Sequence, residues 1–389
     1  MSRLFTILAI AITVLGGLHT YIWFKLVRAT GLPPPWRTVA TVALIVLALS
    51  IPATLILRRT TSIATDLLYR PAMVWLGIAF LLFIALLTGD LLRFAAFVVA
   101  KLGGRPPLDP ERRLFLARLT GGAVAAVTAA AAGVAASEAA NVRVKEVRVP
   151  LRRLPPALDG TSIVQITDIH IGPTLGRAFL EDVVQKVNAL VPDVVAITGD
   201  LVDASPEAIG DAVSVLGELR ARHGVYFVTG NHEYYAGVEP WMGFLEKLGI
   251  RVLRNERVTI GDANASFDLA GIDDFSSRGM AAGHGPDLPA ALAGRDPSRE
   301  LVLLAHQPRA VVEAAALGVG LQLSGHTHGG QIWPWKYLVY LQQPFVAGLG
   351  REKDTWIYVS CGTGYWGPPF RLGAPPEITR VVLGSSRSA

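Results

Sequence analysis

Four long apolar runs, separated by short charged connectors, occupy the first third of the chain and constrain its fold more than any other feature. Leu4–Phe24 holds no charged side chain, and Thr38–Leu57, Pro71–Thr88 and Leu119–Ala136 are of the same kind. About twenty apolar residues in a helix cross a hydrocarbon layer about 30 Å thick. A soluble protein can bury one such helix, but four in succession leave too little chain to cover them. The third run can continue past Asp90 and Arg93 to Ala100. These two residues lie three apart and share a helix face. We expect them, and His19, at a membrane interface, where polar tips reach water. The fourth run is the least apolar, because Ala and Gly add little insertion free energy. Composition agrees: 51% of the 389 residues are hydrophobic and 17% charged, with the apolar excess at the N-terminal end.

The connectors carry Lys25, Arg28 and Arg37, then Arg58, Arg59 and Arg70, then Lys101, Arg105, Arg112 and Arg113. Positive charge in every connector leaves the positive-inside rule without a clear vote. Arg112-Arg113-Leu114-Phe115-Leu116, ahead of the fourth run, is similar to the twin-arginine export signal of bacteria. That pattern places whatever follows Ala136 outside the cytoplasm, although the basic stretch Arg143–Arg153 argues the other way. No small-x-small cleavage site follows, so the fourth run is expected to remain as an anchor. The net charge of +5 comes largely from arginines flanking apolar runs, and no dense Lys/Arg tract with interleaved aromatics suggests a nucleic-acid partner. The lone Cys361 excludes an intrachain disulfide and a cysteine zinc site, and is expected to be a buried structural residue.

From Asn141 the pattern changes to short buried-strand runs alternating with helical ones. Ser162–Thr167, Asp193–Thr198 and Val225–Val228 read as strands, and Leu175–Leu190 and Ser205–Arg222 as helices. Pro206 just after Ser205 marks a helix start. This βαβαβ run predicts a layered α/β domain. Further strands are expected near Ala265–Ala270, Leu301–Ala305, Val319–Leu323, Trp356–Ser360 and Ile378–Val382. The domains are therefore placed at 1–140, an all-α membrane region of about four spanning helices, and 141–389.

Five polar blocks then fall at the C-terminal ends of predicted strands, the edge where α/β sheets assemble sites. They are Asp168-x-His170, Gly199-Asp200 with Asp203, Gly230-Asn231-His232-Glu233, His306, and Gly325-His326-Thr327-His328. The first three recur at intervals of about thirty residues, one βαβ unit apart. Carboxylate oxygen and imidazole nitrogen suit Mn, Fe, Zn, Co or Ni. Two ions about 3.5–4 Å apart need a bridging ligand, and Asp200 is the natural choice. Glycines at 199, 230, 325, 329 and 330 permit tight loops. His223 and His284 lie outside the pattern and are read as surface residues. Each block alone is weak; their order and placement together are not.

These residues resemble the calcineurin-like metallophosphoesterases, over about Val142–Leu383 and in all five blocks. The run Gly325-His326-Thr327-His328-Gly329-Gly330-Gln331 and the ending Arg371–Glu377 look most like the membrane-associated branch. Glu233 stands where Asp is commoner, with no loss expected. The resemblance implies a four-layer αββα sandwich following the transmembrane helices. It implies two divalent metal ions: Asp168, His170 and His328 at one, Asn231, His306 and His326 at the other, and Asp200 bridging. It implies a metal-bridging hydroxide attacking phosphorus, His232 as general acid or donor to the leaving oxygen, and Asp203 orienting a ligand from behind.

The expected enzyme is a phosphoester hydrolase of the bacterial cytoplasmic membrane, with an extracytoplasmic catalytic domain. Its expected partners are membrane lipids and a phosphoester or pyrophosphate substrate such as a phospholipid or lipid-linked nucleotide. Trp333, Trp335, Tyr337, Tyr340, Tyr365, Trp366 and Phe370 form either core or an amphipathic rim that meets the membrane. Two alternatives are a non-catalytic phosphate-ligand sensor, which predicts lost ligands, and a transporter with an appended domain. Only Asp90, Arg93 and Pro52 hint at the transporter.

Overall fold

A computed structural model describes residues 2–57, 63–104, 106 and 109–386. Arg58, Arg59 and Arg105 of the connectors lie outside the described residues. By contact the chain divides into two compact units: Met1–Ser137 with Gly367–Phe370, and Glu138–Trp366 with Arg371–Ala389.

The first unit is helical. α1 (Ser2–Trp23) runs into a π-helical turn at Phe24–Arg28, and α2 (Pro34–Leu57), α3 (Ile63–Leu102) and α4 (Pro110–Ala139) follow. Pro34 and Pro110 open their helices, where a missing N–H costs nothing. Among the described residues three helices are long and apolar enough to cross a membrane, at Pro34–Thr54, Leu67–Leu102 and Pro110–Ala139. The first apolar run lies in α1, whose opening side chains are outside the described residues.

α3 does not stop at Asp90 and Arg93 but continues through them. Asp90 accepts hydrogen bonds from the Tyr21 hydroxyl and Lys25 Nζ, both at 2.7 Å, with Arg93 at 3.9 Å. His19 is buried rather than open to an interface. Its Nδ1 faces the Leu15 carbonyl at 2.8 Å and its Nε2 accepts from Trp75 Nε1 at 2.9 Å.

The second unit opens with β1 (Arg143–Leu151), β2 (Ser162–Ile166), α5 (Arg177–Ala189), β3 (Val194–Ile197), α6 (Pro206–Val213) and β4 (Val225–Phe227). It continues with α7 (Asn231–Ala236), α8 (Val238–Lys247), β5 (Arg251–Val252), β6 (Glu256–Gly261), β7 (Ser266–Gly271), α9 (Leu288–Ala291) and β8 (Leu301–Leu304). It closes with α10 (Val311–Ala316), β9 (Leu321–Ser324), α11 (Lys336–Val339), β10 (Gly348–Glu352), β11 (Thr355–Val359) and β12 (Glu377–Ser385).

The strands form two six-stranded mixed sheets, ordered β1-β12-β2-β3-β4-β5 and β10-β11-β9-β8-β7-β6. Central strands β2, β3, β8 and β9 are buried on both faces, as the wholly apolar β3 and β8 require, while Gln165 and Gln322 in β2 and β9 are buried with their amide nitrogens hydrogen-bonded. Ile163, Val194 and Val228 of the first sheet meet Phe267, Leu304 and Leu323 of the second in one core. The outer face of the first sheet is covered by α5, α6 and α8 through Val184, Val213 and Trp241. The outer face of the second is covered by α9 and α10 through Leu288 and Ala314. The result is the four-layer αββα sandwich. β1 was not foreseen, because Arg143, Lys145 and Arg148 mask the inward alternation of Val147, Val149 and Leu151. It pairs in parallel with β12 at the sheet edge, where basic side chains blunt edge pairing.

Candidate metal centre

All five polar blocks leave the C-terminal ends of strands, three on one sheet and two on the other. Asp168 and His170 follow β2, Asp200 and Asp203 follow β3, and Asn231 to Glu233 open α7 after β4. His306 follows β8, and His326 and His328 follow β9. The centre therefore straddles the two sheets, and backbone bonds tie them there. His326 N donates to both Asp168 oxygens at 2.9 and 3.0 Å, and His306 Nδ1 donates to the Thr198 carbonyl at 2.8 Å.

The side chains converge. Three groups bring one donor atom per residue within 4.8 Å of one another: Asp168, His170 and His328; His170, Asp200 and His232; and Asp200, His306 and His326. His170 Nε2 faces His328 Nε2 at 3.1 Å, and His326 Nδ1 faces His306 Nε2 at 3.2 Å. His306 Nε2 also lies 3.2 Å from Asp200 Oδ2, and His328 Nε2 lies 3.4 Å from Asp168 Oδ1. Asn231 Oδ1 is buried with no hydrogen-bond partner. A buried orphan carbonyl oxygen costs about 1–3 kcal/mol. Imidazole nitrogens turned on one another gain little. A cation that accepts all these lone pairs removes both penalties, so the residues fit divalent metal.

The electrostatics point the same way. Burial opposes charge on Asp200, but His306, His232 and His170 outweigh it and hold its carboxyl well below the usual range. Burial, followed by the charge of His306, pushes His326 down to about 3, which keeps its lone pairs available. Burial and the nearby Arg371 likewise push His328 down. Burial would lower His232, but Asp200 and Asp203 overcome it and raise this imidazole to about 9. Asp203 Oδ1 lies 3.0 Å from His170 Nδ1 and 2.6 Å from His232 Nδ1, so one carboxylate fixes both rings. Those two imidazoles outweigh burial and depress the Asp203 carboxyl.

The backbone is strained at the centre. Asp168, His170, Asp200, His326 and His328 all have positive φ, between 50° and 70°. Such conformations cost on the order of 1–3 kcal/mol each and gather at functional sites. Two glycines allow the close approach. A Cβ at Gly230 would meet Asp200 Oδ1, and one at Gly325 would meet Asp168 Oδ2.

Three residues matter more than the sequence suggested. Glu233, almost fully buried, accepts from Gly230 N at 2.6 Å, Asp200 N at 3.0 Å and Leu201 N at 2.8 Å. Its carboxylate ties the second polar block to the third. Burial, reinforced by Asp200, pushes its carboxyl up to about 7. Tyr235 and Trp366, both exposed, stand edge-on to His232 with ring centroids at 5.2 and 5.6 Å. The consecutive tyrosines after Glu233 were the available signal for Tyr235.

His284 is not a surface residue. Its Nδ1 faces the Tyr234 hydroxyl at 3.0 Å, its Nε2 faces Glu239 at 2.7 Å, and its side chain is 1% exposed. His223 is half-buried. Cys361 is buried, and burial with nearby Glu377 pushes its thiol up to about 11. Of the aromatic group, Tyr365 and Phe370 are buried. Trp333, Trp335, Tyr337, Tyr340 and Trp366 are exposed, with Leu338 and Leu341 beside them.

The profile of the calcineurin-like phosphoesterase family matches residues 161–330. An uncharacterized metallophosphoesterase of Campylobacter jejuni is 33% identical over 378 residues, covering 96% of this chain and 97% of the relative. This chain belongs to the calcineurin-like phosphoesterase family. Its family generally works with a dinuclear metal centre. Another uncharacterized metallophosphoesterase, from Bacillus subtilis, is 30% identical over 288 residues, covering 71% of this chain and 98% of the relative. A bovine transmembrane protein with a metallophosphoesterase domain is 46% identical over 251 residues, covering 62% of this chain and 56% of the relative. The chain thus spans just over half the length of that relative and of its zebrafish counterpart, 56% and 57%.

Proposed function

We propose that this chain hydrolyses a phosphoester or pyrophosphate held at a membrane surface, using two divalent cations bound between its sheets. Asp168, His170 and His328 would hold one ion, Asn231, His306 and His326 the other, with Asp200 shared. The observation that carries this reading is the orphaned Asn231 Oδ1 beside imidazole pairs turned on one another around Asp200. When bound, such a pair of ions acidifies a water and neutralises charge on phosphoryl oxygens. The chain supplies the rest. Asp203 holds His232 by Nδ1, which turns Nε2 outward as the donor for the leaving oxygen. Asp203 also sets the tautomer of His170, placing the Nδ1 proton on the carboxylate side and freeing Nε2. Glu233 keeps Asp200 and Asn231 in register through three backbone N–H groups. The mixed oxygen and nitrogen donors suit Mn, Fe, Zn, Co or Ni.

The choice of a lipid-bearing substrate, such as a phospholipid or lipid-linked nucleotide, is supported by the segment after Gln331. Trp333, Trp335, Tyr337, Leu338, Tyr340 and Leu341 expose amphipathic and apolar side chains around Lys336. Trp and Tyr favour the membrane interface, and Trp366 and Tyr235 carry the same character to His232. The twin-arginine-like segment before the fourth apolar run supports a bacterial cytoplasmic membrane with the catalytic unit outside.

The test uses the full-length chain in detergent, stripped with EDTA and restored with Mn²⁺, Zn²⁺ or Mg²⁺. Hydrolysis of p-nitrophenyl phosphate, bis-p-nitrophenyl phosphate and a lipid pyrophosphate in vesicles is measured. The account expects metal-restored turnover, faster on the lipid substrate and abolished in Asp200→Asn and His232→Ala. Turnover that survives EDTA or Asp200→Asn contradicts it, and preference for the soluble esters removes the lipid assignment.

A further inference from the structure

The second unit has a cleft of about 420 Å³ at the pole away from the metal centre. It is lined from both sheets, beyond the end of β1 and where β8, β9 and β11 begin. The candidate metal ligands follow the opposite ends of β8 and β9. Volumes of about 300–1,000 Å³ are usual for small-molecule sites.

The cleft carries unbalanced positive charge. Arg152, Arg153 and Arg351 line it, against Glu300 and Asp354. The Glu300 side chain is 1% exposed and fully engaged. Its Oε1 accepts from Arg153 Nη2 at 3.0 Å and Leu301 N at 2.9 Å, and its Oε2 from Arg153 N at 3.0 Å. The Asp354 side chain is 75% exposed and is shared by Arg152 at 3.1 Å and Arg351 at 3.2 Å. Two guanidiniums on one exposed carboxylate keep donors in reserve, and such surface pairs hold weakly. Arg351 also lies over the Trp356 ring, 5.1 Å from its centroid, and Trp356 Nε1 donates to Pro150 O at 2.9 Å.

A fourth cation stands at the same edge. At Gly318, where φ is +72°, a Cβ would lie 3.7 Å from Arg153 Nη1 and 3.7 Å from Arg295 Nη2, so both guanidiniums look onto one point of the cleft wall. Arg295 makes no ion pair among the described residues, and its Nη1 donates to Arg299 O at 3.4 Å. The neighbouring Arg299 is paired with Asp268 at 3.1 Å. Burial, then the charge of Arg153, pushes the pKa of Arg295 down. The carbonyl end of α10 also meets the cleft at Gly318, but that carbonyl already accepts from Arg153 Nη2 at 2.6 Å. Arg152, Arg153, Arg295 and Arg351 against Glu300 and Asp354 leave two positive charges in excess. A cleft of one sign concentrates counter-ions, and guanidinium forks match phosphate oxygens.

We propose that this cleft is a second ligand site, separate from the metal centre, which binds a small anion carrying one or two phosphate groups between the Arg153–Arg295 and Arg152–Arg351 pairs. The site stands whether or not the two-ion reading holds.

The test is calorimetric titration of the full-length, chelator-stripped chain in detergent with pyrophosphate, inorganic phosphate or glycerol 1-phosphate at one low ionic strength. Stripping removes any cation that would draw the same probes to the metal centre. The parent is expected to bind one anion per chain saturably. Arg295→Gln and Arg351→Gln should each weaken binding at least about tenfold, as loss of a charge-assisted hydrogen bond does, and melt close to the parent. Arg152→Gln, at a side chain 67% exposed, should weaken it in the same sense and decides the matter if a more buried variant does not fold. Arg222→Gln removes an arginine that is 76% exposed and lines no part of the cleft, and should bind as the parent does.

Tighter binding of glycerol 1-phosphate would assign the site to a lipid headgroup, and tighter binding of pyrophosphate to a soluble phosphate anion; either supports it. No saturable binding of any probe, unchanged binding in the cleft variants, or equal weakening by Arg222→Gln overturns the proposal.

Discussion

In α3 the side chains of Leu92, Phe94, Phe97 and Val99 are exposed. In the catalytic unit Asp168, His170, Asp200, His306 and Arg371 are at most 2% exposed. The helical unit turns apolar groups outward around a small core of Ile22, Ala79, Leu82, Leu86 and Val124. The catalytic unit gathers ionisable groups between two apolar sheets. Lipid can solvate the first arrangement, so outward Leu and Phe cost nothing there. Only hydrogen bonds, opposite charge or metal can solvate the second. The contrast separates residues kept for their surroundings from residues kept for chemistry, and each prediction below probes one side of it.

The largest effect belongs to Asp200, which stands between both ion groups. Asp200→Asn keeps the shape but halves the bridging capacity. Turnover should fall by at least about a thousandfold, equivalent to several kcal/mol of charge stabilisation. A chain retaining more than a tenth of parental turnover in steady-state assays would show that Asp200 does not bridge.

Next come two phenylalanines that differ only in their surroundings. Phe267 is buried between the sheets, and Phe267→Ala should destabilise the catalytic unit by about 3–5 kcal/mol. Phe94 is 65% exposed on α3, and Phe94→Ala should change stability in detergent by no more than about 0.5 kcal/mol. Denaturant titrations of the two variants check this, and equal losses would break the comparison.

Asp203→Asn should lower turnover by about 10–100-fold with a smaller change in metal affinity, because Asp203 orients His170 and His232 from behind. Unchanged kinetics would remove Asp203 from the site. The smallest effect is expected from the aromatic rim. Trp335→Ala with Tyr337→Ala should reduce hydrolysis of a vesicle-borne substrate severalfold and leave soluble esters untouched. Equal losses on both substrate types would show that the rim serves folding, not the interface.

Much of the second unit was legible because its central strands are buried on both faces and its candidate ligands sit at strand ends. Leu301–Ala305 is an unbroken apolar run and Ser162–Thr167 a short β-branched one, and the strands end within a residue of those limits. β1 was not legible, because three basic residues on an edge strand hide its alternation. His284 was misread because its burial depends on Tyr234 and Glu239, distant contacts that no local pattern announces. The left-handed backbone of Asp168, His170, Asp200, His326 and His328 was invisible for another reason. Neighbouring glycines hint at tight loops, but which residue carries the strain is settled by packing between the sheets. Glu233 takes three backbone N–H groups, a role that its spacing alone did not announce.

The most direct test of the central claim is anomalous diffraction from crystals of the full-length chain soaked in Mn²⁺. The account predicts two peaks about 3.5–4 Å apart on either side of Asp200, one against Asp168, His170 and His328 and the other against Asn231, His306 and His326. A single peak, or two peaks sharing no ligand at Asp200, would contradict it.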